Sequence, residues 1–144
     1  LIRVDRREEA FRVVILSRSA PSKPDWCPTA CFSTKPIPEG FFAQRRYRFS
    51  LLANPTRKVR SDASGERTKN GRRLAITRRE DLIAWLSRKA TENGFMVEGD
   101  TLRTVPFLGE LTVNDPARFR DAVAAGIGSA KAFGFGLLVL APIP

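Results

Sequence analysis

The stretch Gly126-Ile-Gly-Ser-Ala-Lys-Ala-Phe-Gly-Phe-Gly136 sets two Gly-x-Gly pairs, Gly126/Gly128 and Gly134/Gly136, on either side of Lys131. Glycine lets a backbone turn at positive φ and come close to a phosphate, and a lysine at the apex adds charge. A dinucleotide fingerprint would need to follow a strand and open a helix, with a third glycine three residues after the second. Here the loop follows a predicted helix, leads into a predicted strand and has Lys131 at the third-glycine position. A plain tight turn is the alternative. Four glycines and a lysine in eleven residues favour phosphate contact.

A run of cations is the second feature that could do chemistry. Between Arg57 and Arg79 lie nine basic residues against Asp62 and Glu66, a local excess of seven in a chain of net charge +10. Any one of these side chains could simply be solvated. The concentration of Arg57, Lys58, Arg60, Lys69, Arg72 and Arg73 in one stretch favours phosphate contact for the cluster as a whole. Clustered cations release condensed counterions when they meet a polyanion, so a nucleic acid is the leading partner and an anionic membrane surface the lesser one.

What the sequence lacks narrows the chemistry further. The chain has no histidine, the usual general acid–base near neutral pH. No Asp-x-Asp or other acidic cluster suggests a metal-assisted nuclease. Cys27 and Cys31 are the two cysteines, and a structural zinc needs about four protein ligands. No metal or other cofactor is therefore expected, both thiols are expected to be plain buried residues, and no residue of the chain is assigned a catalytic role. Hydrophobic residues make up 42%, enough for a packed core. No apolar run approaches a membrane span. The chain starts at Leu1 without a signal-like segment, which predicts a start inside a longer protein.

These groups need elements to hold them. Leu1–Asp5 and Phe11–Ser17 read as a strand hairpin, the second strand well buried. Ala20–Gly40, with five prolines, excludes a long helix. Phe41–Ala53 reads as a strand with Tyr47, Phe49, Leu51 and Ala53 on its apolar face. Thr56–Asn70 shows no apolar periodicity and reads as a mobile loop. Thr77-Arg-Arg-Glu80 has the form of a capping box, opening a helix that runs to Glu92 with Leu82, Trp85, Leu86 and Lys89 on one face and Asn93-Gly94 as its stop. Trp85 could stack on a base, but its spacing suits the core better. Phe95–Val97 and Thr104–Val113 read as strands, Asp115-Pro116 opens a second helix to Ala125 with Phe119 and Val123 inward, and Phe135–Ala141 is a last strand. From Phe41 onward the order is strand, helix, strand, strand, helix, strand. That is an α+β pattern, the split β-α-β, ferredoxin-like arrangement.

The glycine loop followed by Leu137-Leu-Val-Leu-Ala-Pro142 resembles the C-terminal signature of the CRISPR-associated repeat-binding superfamily. More specifically, the chain resembles the CasE family of type I-E repeat endoribonucleases that stay in the Cascade complex. Supporting pieces occur in the family's order. They are Pro24-Asp-Trp26, Phe49–Pro55 followed by basic residues, Gly71-Arg-Arg73 before the helix holding Ala84-Trp-Leu86, Gly109–Val113 with Asp115-Pro116, and Gly126–Gly136.

The resemblance implies two ferredoxin-like (βαββαβ) domains in tandem, with residues 1–40 the remainder of a truncated first and residues 41–144 the second. It implies a cytoplasmic protein that binds the CRISPR repeat hairpin and crRNA beside other Cascade subunits. It also implies metal-independent cleavage, in which the 2′-hydroxyl attacks the adjacent phosphate and leaves a cyclic phosphate end. In the family the catalytic histidine and a tyrosine lie on or near the first helix of the first domain, so they are expected upstream, and Tyr47 lies in the wrong strand. The family also often has a longer basic hairpin between the middle strands of the second domain. Here Val97–Thr104 carries Arg103 as its one basic residue. A noncatalytic RNA-binding module and a small-molecule-binding ferredoxin-like domain are the competing readings.

Overall fold

Alternating burial drives the central strand. In β3 (Arg46–Leu51), Tyr47, Phe49 and Leu51 point to one face and are buried, while Arg46 and Arg48 point to the other and are exposed. The structure is a computed structural model. It describes residues 1–6, 8–61, 65, 67–99 and 106–143, with backbone alone at 61 and 67–70. Two strands flank β3 in antiparallel register, β7 (Phe107–Val113) and β8 (Leu138–Pro142). Beyond β7 lies β6 (Phe95–Glu98), so the sheet order is β6-β7-β3-β8. With α1 (Arg79–Glu92) between β3 and β6, and α2 (Pro116–Ala125) between β7 and β8, this is the ferredoxin-like topology the sequence predicts.

Both helices cover the inner face of that sheet. Leu82, Trp85, Leu86 and Ala90 of α1 and Phe119, Ala122 and Val123 of α2 are buried there. Trp85 stacks on Phe107 with centroids 5.9 Å apart, and Phe119 meets Tyr47 at 5.4 Å. Such pairs add directional attraction to apolar burial. Burial raises the Tyr47 pKa, against a hydrogen bond to the Gln44 backbone that lowers it, and its hydroxyl donates to the Phe41 carbonyl. The sole tyrosine is thus a core residue.

Helix boundaries follow local chemistry, with one correction. The Asp115 carboxylate accepts from the Arg118 N–H at 3.1 Å and Pro116 opens α2, as expected. Asn93 caps the end of α1, and Gly94 follows at φ 78°. The capping box of Thr77 and Glu80 does not form. Leu82 N–H bonds the Arg78 carbonyl, which makes Arg78 the N-cap and leaves Thr77 one position too early.

Four other expectations change. Phe41–Ala43 belongs to a short helical turn at Glu39–Ala43, so the strand starts at Arg46. Most described residues of the expected loop Thr56–Asn70 lie in strands. They form a two-stranded ribbon, β4 (Thr56–Ser61) with β5 (Arg67–Ala75), bulged between Val59 and Ser61. The N-terminal hairpin of β1 (Ile2–Arg6) and β2 (Phe11–Ile15) is present, but β2 is not buried: Phe11, Val13 and Ile15 are exposed on the same side as Ile2 and Val4. The opposite side of this hairpin is anchored through Arg3. Its guanidinium donates to the Ser50 hydroxyl at 2.8 Å and the Ser50 carbonyl at 3.2 Å and pairs with Asp5 at 2.6 Å. Cys31 is exposed and Cys27 half-buried, contrary to the expected buried thiols. Among the described residues no helix is long and apolar enough to cross a membrane.

Candidate nucleic-acid interface

The glycine loop is tied to the end of β3 by its own backbone. Gly126 closes α2 at φ 77°, with its N–H on the Ala122 carbonyl. Ile127 is buried and donates to the Gly136 carbonyl, while Gly136 N–H donates to Leu52 O, both at 2.8 Å. A Cβ on Gly136 would lie 2.8 Å from the Ile127 carbonyl oxygen, so glycine is required at this crossing. Ser129 Oγ donates to the Asn54 carbonyl at 3.2 Å. Gly128 rests on Trp85, where an added Cβ would meet the indole at 3.2 Å. The result is a fixed loop that carries Lys131 over the exposed end of the core.

That loop, α1 and the base of the ribbon enclose an open cleft of about 950 Å³. Arg57 and Lys58 enter from β4, Arg73 from β5, Arg88 and Lys89 from α1, and Lys131 from the loop, with Trp85 also lining the cleft. Glu92 is the one carboxylate among the lining residues. It is held by Lys89 at 2.6 Å and Arg88 at 3.6 Å, and the hydrogen bond from Lys89 is the main cause of its lowered pKa. Among the described residues, Arg57, Lys58, Arg73 and Lys131 form no ion pair. The cleft therefore keeps a net positive field that an anion could neutralise.

The outer face of the sheet is different. Arg46 lies between Glu98 and Glu110 at 3.1 and 3.0 Å, and Arg48 pairs with Glu110 at 3.8 Å. Thr112 donates to Glu98, the main cause of that carboxyl's lowered pKa, with Arg46 adding to it. Two arginines are balanced by two glutamates, so this face offers little to a phosphate backbone.

Of the residues expected to contact phosphate, the cleft gathers Arg57, Lys58, Arg73, Gly126, Gly128 and Lys131. Gly134 and Gly136 do not line it. They turn inward, Gly134 beside β1 and Gly136 against Leu52 and Ile127, and serve the loop's shape. Arg60 and Arg72 are exposed farther along the ribbon. The Lys69 side chain and the whole of Arg103 lie outside the described residues. Arg88 and Lys89 escaped the sequence reading, which put Lys89 on the apolar face. Their three- and four-residue spacing from Trp85 is the signal that places them beside it on α1.

The family described as CRISPR associated protein matches residues 1–142. The CRISPR-associated endoribonuclease Cse3 of Thermus thermophilus is 28% identical over 84% of this chain and 70% of its own length. The CRISPR system Cascade subunit CasE of Escherichia coli is 34% identical over 66% of this chain and 57% of its own length. A solved structure of CRISPR endoribonuclease Cse3 bound to 19 nt RNA superposes with a TM-score of 0.55 at 34% identity, covering 69% of this chain and 54% of that one. The chain thus spans little more than half the length of the last two. Matched by the family over nearly every residue and similar to CasE and Cse3 by sequence, it belongs to the CRISPR associated protein family, in the CasE group.

Proposed function

We propose that this chain binds the stem-loop of CRISPR repeat RNA in the basic cleft. We further propose that, as part of the full-length protein, it cuts pre-crRNA to mature crRNA and stays bound as a Cascade subunit in the cytoplasm. The observation that carries this reading is the meeting of Arg57, Lys58, Arg73 and Lys131, all without ion pairs among the described residues, around a backbone loop fixed by glycine. A-form RNA hides its base edges in a deep groove, so a stem is held through phosphates and shape. The ribbon and loop offer those contacts from two sides of one cleft.

Cleavage needs an aligned nucleophile, a proton-transfer group and stabilisation of the phosphorane charge. This chain supplies positioning and positive charge. It has no histidine, and Tyr47 is buried with its hydroxyl committed to a carbonyl. The proton-transfer group therefore belongs to a segment outside these 144 residues, and the reaction runs without a metal. Residues 1–40 are read as the remainder of a first ferredoxin-like domain and residues 41–144 as the second.

Cleavage of a labelled repeat stem-loop in EDTA, by the full-length protein and by this chain, tests the reading. Cutting by the full-length protein alone, with the chain still binding at low salt, is the expected result. Binding without cutting by either would favour a noncatalytic RNA-binding module. Failure of both to prefer the hairpin over unrelated RNA would overturn the RNA reading.

A further inference from the structure

Phe133 is 81% exposed, in the middle of the loop that carries Lys131. An exposed apolar side chain is by itself ordinary on a protein surface. This one is held in a defined setting. The short helical turn Lys131–Phe133 starts from Ala130 at φ 62°, ψ 32° and ends at Gly134 at φ 83°, ψ 13°. Ala130 is the one non-glycine residue at positive φ among the described residues. Phe133 N–H bonds Ala130 O at 3.0 Å, and Gly134 N–H bonds Lys131 O at 3.2 Å. Below the turn, Ser129 and Gly136 are fastened to Asn54 and Leu52. The ring is therefore presented on a fixed mount, two residues from a cation that faces the cleft.

An exposed aromatic beside a basic track is the arrangement that grips single-stranded nucleic acid, with cations on phosphates and a ring on a base face. Inside a stem both faces of each base are covered by its neighbours, so the ring has nothing to stack on there. An unpaired base next to the stem has a free face. The geometry points to Phe133 as the stacking platform for an unpaired nucleobase flanking the stem-loop, whose phosphates run into the cleft past Lys131. This assignment rests on the RNA reading above and adds to it a residue that recognises single-stranded RNA.

The test uses the full-length protein with a blunt repeat stem-loop and with stem-loops carrying a single-stranded flank on each side in turn, 2-aminopurine being the flanking base. Wild type should bind one flanked RNA about tenfold more tightly than the blunt one, and its 2-aminopurine emission should fall on binding. Phe133→Leu should abolish both effects, Phe133→Trp should keep them, and the salt dependence should stay the same because no phosphate contact is lost. Retention of the flank preference in Phe133→Leu would overturn the assignment, as would equal weakening of blunt and flanked RNA. If wild type binds none of these RNAs, the RNA reading itself fails, which is a distinct outcome.

Discussion

Lys131 reaches the cleft because Gly134 and Gly136 shape the loop beneath it and Ser129 fastens that loop to Asn54. A side chain that contacts phosphate contributes charge without reading sequence. Lys131→Ala should weaken binding of different stem-loops by a similar factor and reduce the slope of log affinity against log salt by roughly 0.7–0.9. Fluorescence anisotropy at several salt concentrations measures both. Sequence alone singled this loop out as a candidate, from its glycines and its lysine. It did not separate Gly134 and Gly136, which shape the loop, from Gly126 and Gly128, which line the cleft, because that depends on which way the backbone turns. A second residue-scale prediction concerns Glu98, whose carboxyl is lowered chiefly by the hydrogen bond from Thr112. A lowered carboxyl adds stability above its unfolded pKa, and that stability is lost as pH falls through its folded pKa. Thr112→Val should move the Glu98 carboxyl back up towards 4.5, as followed by NMR titration.

At the scale of elements, what could be read from sequence depended on burial. The inward residues of β3 and the Asp115-Pro116 start of α2 were legible because packing and capping leave marks at fixed spacing. The β4–β5 ribbon was not. Its pairing is made by main-chain groups, and the side chains described on it are largely exposed Arg and Lys, so no apolar period betrays the strands. For β2 the apolar residues were visible, but sequence cannot say whether anything covers them. The β1–β2 hairpin is docked on β3 through Arg3, a largely buried guanidinium shared between Ser50 and Asp5. Removing it leaves the Ser50 groups short of a donor. Arg3→Ala should cost about 1–3 kcal/mol of stability, seen as a lower urea midpoint. Arg3→Lys should recover part of that loss, since an ammonium can reach one acceptor but lacks the planar fork.

For the molecule as a whole, the distribution of charge matters more than its sum of +10. The outer sheet face neutralises itself, and the excess gathers around the cleft and along the ribbon. If about five cations there meet phosphates, log affinity for a stem should fall with log salt at a slope of about −4, steep enough to lose most binding between low and high salt. A slope near zero would show that the basic surface is merely solvated. The convergence of β4, β5, α1 and the loop on one cleft was hidden in the sequence. The six cations come from positions 57 to 131, and only the folded arrangement of ribbon, helix and loop brings them together.

The two tryptophans give this molecule a built-in optical probe. Trp26 stands 83% exposed in the proline-rich segment, whereas Trp85 is buried at 4%, stacked on Phe107 beneath Gly128. Indole emission shifts to the red in water, so the native spectrum should resolve into two components. Acrylamide should quench the red one first and leave the blue one largely untouched. Because Trp85 lines the cleft, titrating RNA into the chain should perturb the blue component selectively, so occupancy could be followed by light without any label.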